Sequence, residues 1–348
     1  MWVAGCLSIE RQRDAWSALY GTATLRRPMM VVEVQGTLVE RLRATTSAWV
    51  LGRRLEHNVV IIWKPDEECD ALFADLFDRP DVDLLVLDFM PFVVHQRGNW
   101  VSLGDTNRTY DKLTIGAKHC RGRHLYIRTR KYVVSPCREI TVQEYSRHLS
   151  RLRLRSVDLA LTATYLAEQL NISQQLGIDI KKKDGRGTPG FPAHACDAKL
   201  YHKPAQAALA AGWGAKALVL CDENAMACEN LRMLSLRRNS LSLRGFVPSP
   251  YFYSCIDEGW RSVMCQRLTL LELEIISQSG GLILSQHGPR SDLILFRHLV
   301  KFLGKAAGSW SAAGTDRIVK VKVLCGSPSS MQDVFPVLPN FFPALPKR

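Results

Sequence analysis

The sequence predicts an α/β protein built from two Rossmann-like lobes with a cleft between them. Apolar runs typical of buried strands alternate with helix-patterned segments, and this alternation restarts in the second half. The chain has 348 residues, which favours two hydrophobic cores over one. We therefore place the N-terminal lobe at 29–155 and the C-terminal lobe at 156–325. An N-terminal extension, 1–28, precedes them and a proline-rich tail, 326–348, follows.

The first lobe opens with a strand–turn–helix–strand unit. The apolar run Met30–Val34 is followed by Gly36, a helix-patterned segment and a second apolar run, Val59–Trp63. Free N–H groups and the helix dipole favour negative charge at such a turn. Since Arg41 and Arg43 lie in the first turns of the helix, we expect the turn to bind a pyrophosphate. The alternative is an ordinary strand–helix turn with solvated arginines.

The rest of the first lobe is predicted from shorter patterns. They indicate a helix at Ala71–Phe77, a strand at Asp83–Phe89, a loop at Gly98–Gly116, a strand at His124–Val134 and helical spacing over Thr141–Leu170.

The second lobe repeats the strand–helix alternation. The predicted strands are Gly177–Ile180, Ala217–Cys221 and Leu282–Ser285, and the predicted helices are Pro204–Gly212 (with Pro204 in its first turn), Ala225–Leu236, Leu268–Ser277 and Asp292–Leu303. In open parallel sheets, ligands bind outside the carboxyl ends of the strands. The residues that follow these strands are therefore the candidate site.

Lys181 and Lys182 follow the first strand of this lobe, where a cation can neutralise charge on a departing phosphate. The alternative is a solvated lysine cluster. Asp222 and Glu223 follow the next strand and can accept hydrogen bonds from a ribose or a base, or cap the helix after them.

Composition narrows the class of partner. The net charge of +13 at pH 7 favours an anionic partner. No window approaches the roughly 20 apolar residues of a membrane span, and Met1–Leu19 lacks the plan of a signal peptide. The ten cysteines include no C-x-x-C pair, and their spacing assigns no disulfide. Because the histidines also lack metal-ligand spacing, we expect no metal site.

A nucleic-acid-binding protein is the hypothesis that charge alone suggests. Arg147, Arg151 and Arg155 would share one helix face at i, i+4 spacing and form its footprint. It ranks last, because no RNA-reading motif accompanies the charge.

Taken in order, these segments resemble the fucosyltransferase superfamily that uses GDP-fucose, which includes the α1,6-, protein O- and nodulation fucosyltransferases. GTLVERLR (36–43), VVIIW (59–63) and CDALFADLF (69–77) resemble its first lobe. LGIDIKKKD (176–184), CDE (221–223) and LLELEIISQSGGLILSQHGPRS (270–291) resemble its second lobe.

The resemblance implies a two-lobed GT-B fold and a metal-free, inverting transfer of fucose from GDP-fucose to a glycan or protein hydroxyl. It also implies the secretory pathway, although no signal or anchor is seen in the sequence. Gly36, Arg41 and Arg43 would then hold the pyrophosphate together with the turn at Ser285. Lys181 and Lys182 would neutralise the leaving diphosphate.

The resemblance also implies contacts to the nucleoside of the donor. Asp222 or Glu223 would contact the ribose or base, and Asp184 matches an aspartate that the family pattern contains. The base that would activate the acceptor is not identifiable from the sequence.

The sequence also departs from the family pattern. Thr37, Val39 and Glu40 replace two glycines and an asparagine of the first loop. Asp179 stands in the place of a histidine, while Lys181 and Lys182 stand in the place of arginines. Lysine keeps the charge but lacks the bidentate fork. These changes suggest a second hypothesis, a catalytically weakened relative that binds a nucleotide sugar or an anionic glycan.

Overall fold

Parallel β-sheets flanked by helices form the core of each half of the chain. The structure is a computed structural model, and it describes residues 9–78, 84–91, 100–104, 112–120, 122–155, 168–169, 171–180, 199–221, 240–242, 255, 261–285, 289–303 and 321–324. The chain divides into two compact units. The first is Met1–Ser156 with Arg261–Gln266, and the second is Val157–Trp260 with Arg267–Arg348.

The first unit contains a five-stranded sheet in which every pairing is parallel, with strand order β3-β2-β1-β6-β4. A further parallel pair joins β5 to β7. The elements are α1 (Ile9–Arg26), β1 (Met29–Val34), α2 (Leu38–Arg54), β2 (Asn58–Ile62), α3 (Phe73–Leu76), β3 (Leu84–Leu87), β4 (Trp100–Gly104), β5 (Lys112–Thr114), β6 (His124–Thr129), β7 (Tyr132–Val134) and α4 (Val142–Arg151).

The second unit contains another five-stranded, all-parallel sheet, with strand order β10-β9-β8-β11-β12. The elements are β8 (Gln175–Ile180), α5 (Lys199–Ala210), β9 (Lys216–Cys221), β10 (Ser240–Ser242), α6 (Val263–Ser277), β11 (Gly281–Ser285), α7 (Pro289–Leu303) and β12 (Val321–Leu324). The first residues of α6 belong to the first unit.

The strands that the sequence predicts best are buried on both faces. Met30, Val31 and Val32 of β1 and Val60 and Ile61 of β2 are fully buried. Central strands of a parallel sheet therefore appear in the sequence as unbroken apolar runs. This confirms the predicted α/β class, together with the strand–turn–helix–strand unit that opens the first lobe.

Two predictions in the first unit are wrong. Segment Gly98–Gly116 is not a loop, because it contains β4 and β5. β4 is an edge strand whose Ser102 and Gly104 are exposed, so its sequence lacks the continuous apolar run of a central strand. The predicted single strand His124–Val134 is two strands that join different sheets.

The predicted arginine stripe is also wrong. α4 ends at Arg151, so Arg155 lies beyond the helix. Its Nη1 donates to the carbonyl oxygen of Ala74. The Arg151 guanidinium lies 5.9 Å from the centroid of the Trp49 ring. The three arginines therefore do not share a helix face. The nucleic-acid hypothesis loses the basic helix face on which it depended.

Two further helix predictions change in their bounds. Pro204 lies inside α5 and not in its first turn, because the helix begins five residues earlier, at Lys199. The predicted Ala71–Phe77 helix is the single turn α3. The predicted helix Ala225–Leu236 and the tail 326–348 lie outside the described residues.

The predicted N-terminal extension contains a helix that the sequence analysis did not assign. Trp16 of α1 packs against Met29 and Val31 of β1, in a cluster completed by Val60, Ile62 and Leu87. Gln12 holds the helix by two reciprocal bonds: its Nε2 donates to Oδ2 of Asp88 at 2.7 Å, and its Oε1 accepts from the Asp88 N–H at 3.0 Å. α1 is therefore an integral part of the first unit.

A disulfide links Cys120 to Cys137, a pairing that the sequence spacing could not assign. It joins the end of the 3₁₀ turn Ala117–His119 to the segment after β7. Cys69 is a free, buried thiol, and burial raises its pKa. Within the described residues, no helix is long and apolar enough to cross a membrane.

Two histidines at the amino-terminal edge of the first sheet predict a pH-dependent stability. Nδ1 of His57 lies 2.9 Å from the carbonyl oxygen of Leu55, and Nδ1 of His124 accepts the Met29 N–H at 3.2 Å. Burial lowers the pKa of both imidazoles below 6.5. The unfolded chain therefore takes up these protons first as the pH falls, and the free energy of unfolding should drop from pH 7 to pH 5.

We expect His57→Gln and His124→Gln each to reduce this drop, because each variant removes one imidazole whose pKa burial lowers. Urea unfolding at pH 5 and pH 7 measures it. An equal pH dependence of the free energy of unfolding in wild type and both variants would contradict the prediction.

Candidate functional site

The turn between β1 and α2 has the backbone that its glycine permits. Gly36 adopts φ +85°, in the left-handed region that side chains disfavour. The N-cap residue Thr37 then has extended backbone, with φ −62° and ψ 161°, and α2 begins at Leu38. The turn thus has the geometry on which the pyrophosphate prediction rests.

A carboxylate of the protein occupies the start of this helix. Oε2 of Glu40 accepts the Thr37 N–H at 2.9 Å and the Thr37 hydroxyl at 3.1 Å. A Cβ atom on Gly36 would collide with Glu40 Oε2 and would lie 3.3 Å from Glu68 Oε2. Because a helix N-terminus favours negative charge, Glu40 stabilises the turn in the way that a bound anion would.

Arg41 is fully buried beneath the turn and bonds to protein atoms. Its Nε donates to the Gly36 carbonyl at 2.8 Å, and its Nη1 donates to the Lys64 carbonyl at 2.5 Å. Its Nη2 lies 2.5 Å from Asp66 Oδ2. The guanidinium also lies 5.4 Å from the centroid of the Trp63 ring. It therefore ties the Gly36 turn to the segment that follows β2.

Arg43 makes a similar tie on another side of α2. Its Nη2 donates to the Arg130 carbonyl at 3.0 Å, between β6 and β7. The guanidinium lies 5.1 Å from the centroid of the Tyr132 ring. Direct pyrophosphate contact by Arg41 and Arg43 stays a prediction, and in the structure both side chains are buried and bind backbone carbonyls of the first unit.

The other predicted site residues belong to the second unit. Ser285 is the last residue of β11. Lys181, Lys182, Asp184, Asp222 and Glu223 lie outside the described residues, but the strands that precede them are described. β8 ends at Ile180, which pairs with Cys221, the last residue of β9.

β8 also pairs with β11, where Asp179 lies opposite Leu284. Three neighbouring parallel strands therefore end at one edge, and Lys181, Asp222 and Ser285 are the residues that follow or end them. β8 and β11 are also the pair at which the strand order changes direction, which is where open α/β sheets bind ligands.

The sequence analysis missed one polar cluster in the first unit, which we call the Glu33 cluster: Glu33, Tyr126 and Arg128. The Tyr126 hydroxyl donates to Glu33 Oε2, and Arg128 Nε lies 3.8 Å from the same oxygen. Burial, followed by the Glu33 hydrogen bond and charge, raises the pKa of Tyr126. A glutamate inside the apolar run MMVVEV was the sequence signal for it.

Comparisons with known proteins give structural matches only. No protein-family model matches the chain, and no curated protein matches its sequence. A single-residue mutant of Arabidopsis thaliana FUT1 in complex with GDP matches with a TM-score of 0.51 at 16% identity, over 82% of this chain and 72% of the plant chain.

Two other solved structures match less closely. The NodZ α1,6-fucosyltransferase soaked with GDP-fucose matches at TM-score 0.48 and 13% identity, over 78% of this chain and 92% of its own. POFUT1 matches at TM-score 0.45 and 8% identity, over 85% and 97%. The plant match shows that the chain has a fucosyltransferase-like, GT-B-like fold, as the sequence predicts.

Proposed function

We propose that the chain is a glycosyltransferase that transfers fucose from GDP-fucose to a glycan or protein hydroxyl, with inversion and without a metal. The adjacent ends of β8, β9 and β11 support this proposal most, because in the sequence a lysine follows β8, an aspartate follows β9 and a serine ends β11. The structural neighbour from Arabidopsis is in complex with GDP, and a diphosphate would suit this set of groups.

In this proposal, Lys181 neutralises the diphosphate as the bond to the sugar breaks, with Lys182 beside it in the sequence. Ser285 donates to the phosphates, and Asp222 or Glu223 accepts from the ribose or base. Asp184 corresponds to an aspartate in the sequence pattern of the fucosyltransferase superfamily. Gly36, Arg41 and Arg43 would also contribute to holding the pyrophosphate, and the two arginines hold the turn in place.

Isothermal titration with GDP and GDP-fucose, paired with an assay for GDP release from GDP-fucose, tests the proposal. We expect binding of both ligands and GDP release that increases when a suitable acceptor glycan is added. Tight binding without any release would contradict the transferase and favour the second candidate.

The second candidate is a catalytically weakened relative that binds a nucleotide sugar or an anionic glycan. The observation that favours it is the Glu40 carboxylate at the helix N-terminus. A diphosphate that approached the Gly36 turn would meet this negative charge, so donor binding through the turn would be weak.

Replacing Glu40 by glutamine separates the charge from the hydrogen bond. The amide oxygen can still accept the Thr37 N–H, whereas the negative charge is lost. We expect the affinity for GDP to rise about fivefold to tenfold, because one screened like charge close to the ligand is worth about 1 kcal/mol. Titration calorimetry in 50 mM and 500 mM salt measures this, and the gain should shrink in high salt.

The matched control is Glu139→Gln, which removes a charge from an exposed position and should leave the affinity unchanged. An unchanged or lower affinity in Glu40→Gln would show that the turn does not face the diphosphate.

A further inference from the structure

The Glu33 cluster lies at the carboxyl edge of the first sheet, where the central strand β1 and its neighbour β6 end. Glu33 is the second-last residue of β1, and Arg128 is the second-last residue of β6. The two strands are parallel neighbours, and these residues lie opposite each other. Tyr126 is two residues before Arg128, so its side chain points to the same face of the sheet.

The fold alone does not explain this carboxylate. Met29 and Val31 precede Glu33 on the same face of β1 and are fully buried. An apolar residue would continue this packing, whereas a carboxylate loses hydration there and needs partners. The Glu33 side chain keeps 13% exposure, and the Arg128 side chain is 59% exposed. The carboxylate is therefore held in place but still reachable from solvent.

The contacts of the Glu33 carboxylate described above involve one of its two oxygens. Oε2 accepts from Tyr126 and lies near Arg128 Nε. Within the described part of the chain, no hydrogen bond or ion pair is found for Oε1. A carboxylate with one oxygen anchored and the other accessible is suited to accept a proton from a hydroxyl group.

We propose that Glu33 is the general base that accepts the proton of the attacking hydroxyl, an assignment that rests on the proposed transferase function. The hydroxyl oxygen of the acceptor bonds to the anomeric carbon of the sugar, and its proton passes to Glu33. The bond between that carbon and the phosphate oxygen breaks, and the leaving diphosphate keeps the electron pair. No further co-reactant is needed, and water can replace the acceptor, which gives free sugar.

Tyr126 and Arg128 are positioning residues in this assignment. The Tyr126 hydroxyl anchors Oε2 and so orients the carboxylate. Burial and the neighbouring Glu33 raise the pKa of Tyr126, so the phenol keeps its proton near neutral pH and remains a donor. Arg128 supplies a positive charge at the exposed side of the cluster.

The test compares wild type, Glu33→Gln, Glu33→Asp and Tyr126→Phe, with Glu139→Gln as the control at an exposed position. GDP release from GDP-fucose is followed from pH 5 to pH 9, and GDP-fucose affinity is measured by calorimetry. We expect Glu33→Gln to lower kcat by a factor of 10² to 10⁴, the usual range for a general base, with an unchanged Kd for the donor. Glu33→Asp should restore part of the rate.

The pH profile identifies the role. The pH profile of kcat should differ between wild type and Glu33→Gln, because only wild type has a base at this position. Tyr126→Phe should reduce kcat less than Glu33→Gln does. Thermal unfolding of each variant identifies any loss of folding.

The outcomes distinguish the two proposals. If wild type releases GDP and folded Glu33→Gln releases it at the same rate and with the same pH profile, the assignment of Glu33 is wrong and the transferase stands. If wild type binds GDP-fucose but never releases GDP, the transferase and the base both fail. If wild type does not bind GDP-fucose at all, the proposed function is wrong, and the assignment of Glu33 that rests on it is wrong as well.

Discussion

Replacing Arg41 by alanine is expected to lower the free energy of unfolding by about 3 kcal/mol. This is the low end of the range for removing one partner of a buried ion pair, because Asp66 is 40% exposed and can rehydrate. The variant also removes the donors to the Gly36 and Lys64 carbonyls, and unbonded carbonyls are costly when buried. Urea unfolding at pH 7 measures the change.

Arg41→Lys tests whether the several donors of the guanidinium are needed, or only its positive charge. A single ammonium cannot reach the Gly36 carbonyl, the Lys64 carbonyl and Asp66 in the planar arrangement that arginine provides. We therefore expect a loss of stability between those of wild type and Arg41→Ala. Arg53→Ala is the matched control, since Arg53 is exposed in the last turn of the same helix, and it should change stability by less than about 0.5 kcal/mol.

The same variants decide between two roles of Arg41. If it holds the turn, stability falls and GDP affinity falls only because the turn loosens, so Arg41→Lys recovers part of both. If the guanidinium contacts the pyrophosphate directly, Arg41→Ala would keep its stability and lose affinity for GDP. That second result would overturn the structural role described above.

Arg41 also shows where sequence reasoning reaches its limit. The Gly36 turn and α2 could be predicted, because they depend on local features: an apolar run, a glycine and helical spacing. The partners of Arg41 could not, since the Lys64 carbonyl and Asp66 come close only when β1 and β2 pair. An arginine beside a predicted anion site has the same sequence pattern whether it binds the ligand or the backbone.

The sequence analysis missed β4 and the Glu33 cluster for related reasons. β4 is at the sheet edge and carries exposed Ser102 and Gly104, so it lacks the unbroken apolar run by which the central strands were predicted. Glu33 lies in an apolar run, and only the register between β1 and β6 places it opposite Arg128. Which residues lie opposite Glu33 therefore depends on the pairing of strands that are distant in the sequence. The end of β8 is easier to predict, because the apolar run Gly177–Ile180 stops there, and the role of Lys181 after it stays a prediction.

Replacing Lys181 by alanine is expected to reduce the rate of GDP release from GDP-fucose by about a hundredfold. Removal of one group that stabilises charge developing in the transition state typically costs a factor of 10² to 10³ in kcat. In the proposed transfer reaction, negative charge would grow on the diphosphate as the sugar departs, so the effect should be larger on kcat than on donor affinity. Single-turnover kinetics at saturating GDP-fucose, with calorimetry for Kd, measures both quantities.

The lysine position allows a graded series that separates charge from geometry. Lys181→Arg keeps the charge and adds a bidentate fork, so it should retain or exceed the wild-type rate, whereas Lys181→Gln should resemble alanine. Lys203→Ala, an exposed position in α5, is the control for a general loss of positive charge. Equal rates in Lys181→Ala and wild type would remove Lys181 from the leaving-group role. If GDP affinity were also unchanged in both Lys181→Ala and Arg43→Ala, the proposed pyrophosphate site would be wrong, because neither of these predicted contacts would then contribute to binding.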